Sequence, residues 1–203
     1  VPHELRTITQ TNYSLQGPIG RTVADTALLL AALAQRDSSS RLDPMCFPLD
    51  SSIYCDLATV DLGTLRVGVS TDLGGVLVSN SIRKSFAERV NFLAKHVAVV
   101  SEVDVDLTDA PGVDWQLRSD VFATQYHREI DNYDVGFNPN VRSSYETALS
   151  TDVLSIAKAR RRQMELFQEV NTQFENFDVI ICPGVSVPPF KWTSLYPEEI
   201  DGR

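Results

Sequence analysis

The chain has 203 residues, enough to form one domain with a sizeable hydrophobic core. Its 27 acidic residues outnumber its 18 basic ones, so its surface has no positive field to attract a phosphate backbone, and we expect no nucleic-acid partner. No apolar run approaches the roughly 20 residues that span a bilayer, and no signal peptide is visible. We therefore expect a cytoplasmic protein without a membrane partner.

The three cysteines are widely spaced, and none forms a Cys-x-x-Cys pair. They are Cys46, Cys55 and Cys182. Without such a pair, the sequence favours free thiols in a reducing compartment over a zinc site or a redox couple. A disulfide between Cys46 and Cys55 is the alternative that the sequence leaves open.

A capped apolar helix is predicted near the beginning of the chain. Thr22 can accept a hydrogen bond from the first turn, and Asp25 stands three residues later, which is the spacing of a capping box. Residues 23–35 are apolar nearly all round, so we expect this helix to be buried inside something large. Residues 36–62 predict a long surface connection, with a short helical turn near Tyr54.

A strand-helix-strand unit is predicted next. Residues 65–69 form a short β-branched run, and Asp72 with two glycines then predicts a turn. Residues 81–96 repeat apolar side chains at helical spacing, and residues 97–107 predict a second strand. This order of elements is typical of an α/β layer.

The second half of the chain is predicted to be mostly helical and to end in a strand. Helices are expected over about residues 113–133 and 151–174. An arginine triplet at residues 160–162 favours a solvated helix face, with an anion site as the alternative. Residues 177–183 form a continuous apolar run that stops at a proline, which is the pattern of a strand covered on both faces.

Three segments match motifs of one enzyme family. Residues 17–25 read Gly-Pro-Ile-Gly-Arg-Thr-Val-Ala-Asp, residues 65–68 read Leu-Arg-Val-Gly, and residues 177–183 read Phe-Asp-Val-Ile-Ile-Cys-Pro. These segments resemble the amidase-signature hydrolases, in which the first run follows the catalytic core. Val1 and Pro2 resemble the end of that core. The first motif is fairly specific, and the other two are weaker when taken singly.

The resemblance implies an α/β fold in which helices cover a mixed sheet and the catalytic half is missing from this chain. Residues 1–203 would form a single partial domain. Within it we expect a buried helix and a long connection over residues 1–62 and the strand-helix-strand unit over residues 63–110. A helical cover with a final strand and tail would occupy residues 111–203.

The family hydrolyses carboxamides with a nucleophilic serine, a second serine that follows a cis peptide bond, and a lysine that accepts protons. By resemblance all three groups precede Val1, so we expect no catalytic residue here and no activity of this chain alone. The resemblance implies a small-molecule amide as the substrate of the full-length parent, through an acyl-serine intermediate and without a cofactor. A homo-oligomer stays open.

One turn imitates the nucleophile loop of the family. Residues 71–76 read Thr-Asp-Leu-Gly-Gly-Val and are similar to the family's Thr-Asp-Thr-Gly-Gly-Ser, but Val76 stands where the nucleophilic serine would be. The place of this segment after the 65–68 run favours an ordinary turn. Ser79 and Asn80 are then interpreted as caps of the next helix.

A thiol hydrolase is the enzymatic alternative within the chain. It would join Cys182 to His127 or His96, yet Cys182 ends an apolar strand, where burial would raise the pKa of its thiol. The histidines, His3 among them, lack the spacing of metal ligands, so we expect no metal site.

Substrate-binding residues are expected on the helix over residues 113–133. Phe122, Tyr126 and His127 combine aromatic faces with polar tips, and they precede an irregular loop over residues 132–140. We predict that they shape the acyl or amine pocket of the parent enzyme, because loops on a rigid scaffold commonly determine specificity. The alternative from another class is a non-catalytic binding or interaction module derived from the same fold.

Overall fold

The computed structural model describes residues 17–34, 43–46, 50–132, 136–194 and 196–203. The chain divides into two compact units. The first comprises Val1–Thr59 and Leu117–Asp152, and the second comprises Val60–Gln116 and Val153–Arg203. The expectation of a single partial domain over residues 1–203 stays a prediction. No helix in the described ranges is long and apolar enough to cross a membrane.

Helix α1 spans Val23–Leu33 in the first unit and begins with the predicted capping box. The Asp25 amide donates to Thr22 Oγ1 at 3.1 Å, and the Thr22 amide donates to Asp25 Oδ2 at 3.2 Å. Within this described helix only Ala27 and Ala31 are buried, so the expected burial inside something larger stays a prediction. Most of the larger apolar side chains are exposed, so α1 presents an apolar surface.

Helix α3 provides much of the described core of the first unit. It spans Ala110–Asn132, close to the predicted range, and belongs to this unit from Leu117 onward. Leu117 and Ser119 are buried on it, and Thr151 Oγ1 donates to Ser119 Oγ at 3.2 Å. A 3-10 helix at Ser51–Tyr54 confirms the helical turn expected near Tyr54.

Helix α4 spans Pro139–Leu149 and was not predicted from the sequence. The irregular loop expected up to residue 140 therefore ends earlier. The Asn140 amide donates to Asn138 Oδ1 at 2.9 Å, and Pro139 occupies the first turn, where its missing amide hydrogen costs nothing. Tyr145 is buried on this helix.

The second unit contains a parallel sheet of three strands. They are β1 (Arg66–Val69), β2 (Val99–Glu102) and β3 (Val179–Ile181), in the order β2-β1-β3. Helix α2 (Asn80–Leu93) connects β1 to β2, and helix α5 (Val153–Gln173) leads into β3.

The α/β class and the strand-helix-strand unit are confirmed. The described strands are all parallel, so the antiparallel part of the expected mixed sheet is not found among them.

Strand β3 lies at an edge of the described sheet, and the expectation that it is covered on both faces stays a prediction. Its Val179 is 40% exposed, whereas Val67 in the central strand β1 is 3% exposed. Cys182 directly after β3 is exposed in this chain as well. The apolar run at residues 177–183 thus contains the strand that pairs with β1.

An ion pair joins the first residue of β1 to the residue before β3. Arg66 Nη2 lies 2.8 Å from Asp178 Oδ1, and the Arg66 backbone amide donates to Asp178 Oδ2 at 2.9 Å. The Asp178 amide returns a hydrogen bond to the Arg66 carbonyl at 2.9 Å. The two residues are 112 positions apart and stand in the Leu-Arg-Val-Gly and Phe-Asp-Val motifs, so this pair sets the register between the two segments.

Candidate functional site

Three aromatic rings form a cluster in the first unit. Phe122 and Tyr126 lie one turn apart on α3, with ring centroids 5.6 Å apart and tilted planes. Phe137, just before α4, meets the Tyr126 ring edge-on at 6.0 Å. The Arg118 guanidinium carbon lies 6.0 Å from the centre of the Phe122 ring. We call Phe122, Tyr126 and Phe137 the aromatic cluster.

The aromatic cluster is half-buried. Tilted and edge-on ring pairs are the arrangements that aromatic groups prefer. The Tyr126 hydroxyl accepts a hydrogen bond from Gln125 Nε2 at 3.3 Å. The cluster can therefore bind an apolar group and offers a hydroxyl beside it, but it supplies no nucleophile.

His127 is not part of this cluster. Its Nδ1 lies 3.1 Å from the Thr124 carbonyl and 3.2 Å from the Ala123 carbonyl, both on its own helix, and the side chain is exposed. With Nδ1 donating to these carbonyls, the imidazole is turned back onto α3. The structure thus brings Phe122 and Tyr126 together and leaves His127 apart from them.

In the turn that resembles the nucleophile loop, the backbone amides of residues 73–76 all donate hydrogen bonds to atoms of residues 70 and 72. The Gly75 and Val76 amides both donate to the Asp72 carbonyl, at 3.1 and 2.7 Å, and the Gly74 amide lies 3.2 Å from Asp72 Oδ1. The Leu73 amide donates to Ser70 Oγ at 2.8 Å. An oxyanion hole needs amides aimed at a substrate oxygen, and these four point into the turn.

The residues after this turn cap helix α2, as the sequence analysis expected for Ser79. Ser79 Oγ accepts from the Ile82 amide at 3.5 Å. The Asn80 amide donates to Asp201 Oδ2 at 2.6 Å, so Asn80 is the first helical residue and a distant carboxylate completes the cap. Neither residue is placed as a nucleophile with a neighbouring base.

The thiol alternative finds little support in the geometry. Cys182 is exposed at the end of β3, and none of the hydrogen bonds between described residues joins it to His96. The His96 ring instead contacts Phe92, with centroids 5.0 Å apart. Among the residues that the structure describes, no group of three or more His, Cys, Asp or Glu is placed to hold a metal ion.

The arginine triplet on α5 includes a residue that is neutralised from several sides. Arg162 Nε lies 2.6 Å from Asp109 Oδ2, and Arg162 Nη1 lies 2.7 Å from Glu169 Oε1. Hydrogen bonds that Arg162 donates to Asp109 and Glu169 raise the pKa of Arg162, and the bond to Asp109 lowers the pKa of that carboxyl. Arg161 pairs with Glu165 one turn later. These pairs favour the solvated-face interpretation over an anion site.

Comparison with known proteins decides the family. The family model described as Amidase matches residues 2–200, nearly the whole chain. This chain belongs to the amidase-signature family. The three motifs that suggested the resemblance, at residues 17–25, 65–68 and 177–183, all fall within the matched region.

Curated relatives of this amidase-family chain are components of an amidotransferase. The A subunit of glutamyl-tRNA(Gln) amidotransferase from Shouchella clausii is 28% identical over 202 residues, which cover 86% of this chain and 41% of the relative. Its counterpart from Geobacillus thermodenitrificans is 25% identical over 202 residues, with 86% and 41% covered. The chain therefore spans about two fifths of the length of these relatives.

A solved structure has the same fold. The crystal structure of a bacterial aryl acylamidase of the amidase-signature family matches with a TM-score of 0.71 at 17% identity. The match covers 92% of this chain and 40% of that protein. At this identity the likeness establishes the fold of the amidase-family chain and nothing finer.

Sequence reasoning missed two members of the candidate site, Arg118 and Phe137. Phe137 follows Gly136 and precedes the Asn-Pro pair that begins α4, so a correct prediction of that helix start would have placed it beside α3. Arg118 stands four residues before Phe122, which is the spacing of neighbours on one helix face.

Proposed function

We propose that the protein to which this chain contributes hydrolyses a small carboxamide to a carboxylate and ammonia or an amine. The observation that carries this proposal is the match of residues 2–200 to the amidase family. The reaction would proceed through an acyl-serine intermediate, with a serine nucleophile activated by a lysine and no cofactor. The serine and lysine groups would come from sequence outside these 203 residues.

The described residues support a non-catalytic contribution of this chain to that reaction. The turn at residues 71–76 has valine in place of a nucleophile, and its amides at residues 73–76 are engaged within the turn. This chain would therefore supply framework and substrate contacts.

The aromatic cluster is our candidate for the substrate contact. Phe122 and Tyr126 present half-buried rings on a helix that belongs to the core, so their positions are fixed by the scaffold. His127 would contact substrate only beyond the two rings, because its imidazole is turned back onto α3 and is exposed. In this role the rings select the acyl or amine group and leave the bond-breaking chemistry to other residues.

The 203-residue chain alone should not react as a serine hydrolase. We expect no labelling by a fluorophosphonate and no release of ammonia or amine from a panel of simple carboxamides. Val76→Ser should be equally inert, because the surrounding amides cannot stabilise an oxyanion. Labelling is measured by intact-protein mass spectrometry, with a catalytically complete amidase-signature enzyme as the positive control.

Stoichiometric labelling of a serine in this chain contradicts the proposal, and so does activity gained by Val76→Ser. Tight binding of a carboxamide without turnover, by a chain with its own start codon, favours the non-catalytic module.

In the complete enzyme, Tyr126→Ala should change which amide is preferred. The variant removes one ring of the aromatic cluster, so the ratio of kcat/KM between a large and a small amide should change by roughly tenfold. Glu146→Ala, at an exposed position of α4 in the same unit, is the matched control and should leave that ratio unchanged. A common loss on every amide, or no change on any, would instead assign Tyr126 to packing.

A further inference from the structure

Helix α1 carries apolar side chains on the face that the first unit leaves exposed. Its buried residues are the small Ala27 and Ala31. Leu28 is 66% exposed, Leu29 43% and Leu33 39%. Ala32 is exposed as well, and these positions share one face because residues four apart on a helix are neighbours. We call Leu28, Leu29, Ala32 and Leu33 the α1 surface.

No charged side chain interrupts the α1 surface within this described helix. Asp25 is the only charged residue of α1, and its carboxylate accepts a hydrogen bond from the Thr22 amide at the cap. Helix α2 shows the contrast, since its exposed positions include Lys84 and Glu88. A helix that is apolar all round is typical of a protein interior. The α1 surface therefore has the composition of an internal packing surface and not of a solvated one.

Most of a protein of this family lies outside the 203 residues. The matched regions are 41% of the Shouchella clausii relative and 40% of the aryl acylamidase, so more than half of each has no counterpart in this chain. Helix α1 is the first described helix and begins at Val23. Elements that follow each other in the sequence are usually neighbours in space. The parent sequence before Val1 is therefore the part that chain order brings nearest to α1.

We propose that the α1 surface is the docking face for the catalytic part of the parent protein, in the sequence before Val1. Its four apolar side chains pack against apolar side chains of that part and hold it on the first unit. The occupant is uncharged where it meets Leu28 and Leu29, because a charge buried there would have no partner on α1. This inference rests on the proposed function, which assigns the serine and lysine groups to sequence outside the chain.

The first test labels cysteines introduced one at a time into the complete enzyme. Leu28→Cys and Leu33→Cys place a thiol in the α1 surface, and the matched control Glu146→Cys places one at an exposed position of α4 in the same unit. A water-soluble maleimide should modify both α1 sites at least about tenfold more slowly than the α4 site, because the reagent reaches them only when the packed parts separate. In urea the three rates should become equal. Peptide mass spectrometry distinguishes each site from the native cysteines.

A crosslink identifies the occupant. A diazirine-bearing amino acid in place of Leu28 in the complete enzyme should, on irradiation, form its main crosslink with a peptide that precedes Val1. The same group in place of Glu146 is the matched control, and it should react mainly with water because that position is exposed.

Two kinds of result would overturn the docking face. Equal labelling of Leu28→Cys, Leu33→Cys and Glu146→Cys in the folded enzyme would show that the α1 surface is uncovered. A main crosslink to a peptide after Arg203, to a second copy or to residues 1–203 alone would assign a different occupant. Neither measurement requires turnover. Slow labelling with the expected crosslink, in an enzyme that hydrolyses no amide, would therefore uphold the docking face and refute only the proposed reaction.

Discussion

Replacing Gly74 with alanine should lower the free energy of unfolding by about 3 kcal/mol or more. Gly74 has a φ of 87°, a conformation that alanine rarely adopts. An added Cβ would also collide with the Val105 carbonyl oxygen and would lie 2.6 Å from Asp106 Cα. These are backbone atoms of a segment that the Leu107 amide fastens to the Leu73 carbonyl at 2.9 Å, so they cannot turn aside as a side chain can. Urea unfolding followed by circular dichroism measures the loss.

Gly112→Ala is the matched control for this substitution. Gly112 lies in the first turn of α3 with a negative φ, and an added Cβ has no neighbour within 4 Å. Alanine favours the helix there, so its stability should stay level or rise by about 0.5–1 kcal/mol. If Gly74→Ala cost no more than Gly112→Ala, the turn would not be the tightly packed structural element that we describe. Its likeness to a nucleophile loop would then need a functional explanation.

The elements predicted correctly are those whose signals are local in the sequence. Thr22 and Asp25 form the capping box that their spacing indicated. The Leu-Arg-Val-Gly run became β1, and the two glycines after Asp72 took positive φ angles, which glycine adopts without strain. In each case a few neighbouring residues determine the backbone.

The errors concern properties that depend on distant parts of the molecule. A hydrophobic pattern indicates that a segment prefers burial, but not which surface provides it, so it did not predict that α1 and β3 are largely exposed in this chain. Helix α4 was missed because its signal is short: an Asn-Pro start followed by polar residues with apolar ones between them. Its helical character depends on the burial of Tyr145 and Ala148.

The candidate site was predictable only in part for a related reason. Phe122 and Tyr126 are four residues apart, and helical spacing was enough to place their rings together. The edge-on contact of Phe137 depends on a chain reversal that the sequence analysis did not resolve. The rotation of His127 onto its own helix is a side-chain choice that no sequence pattern determines.

Asp178→Asn should produce the second large loss of stability. Hydrogen bonds from the Arg66 guanidinium, and then from the Arg66 amide, lower the pKa of Asp178 from 3.8 to about 2. Asparagine keeps an acceptor oxygen but loses the charge and the two-point contact with the guanidinium. The variant should therefore unfold at a lower temperature at neutral pH. The fall should exceed that of Arg161→Gln, whose exposed ion pair spans one helical turn.

The pH dependence separates the charge of Asp178 from its packing. A carboxyl whose pKa is lower in the folded chain than in the unfolded chain stabilises the fold above the unfolded value, here 3.8. That stabilisation is lost as the pH falls through about 2, because both states are then protonated. The difference in unfolding temperature between wild type and Asp178→Asn should accordingly be full at about pH 6 and shrink steadily below pH 3.8. A difference that stays constant down to pH 2 would assign the loss to packing alone, and Arg66 and Asp178 would then not hold β1 and β3 together through their charges.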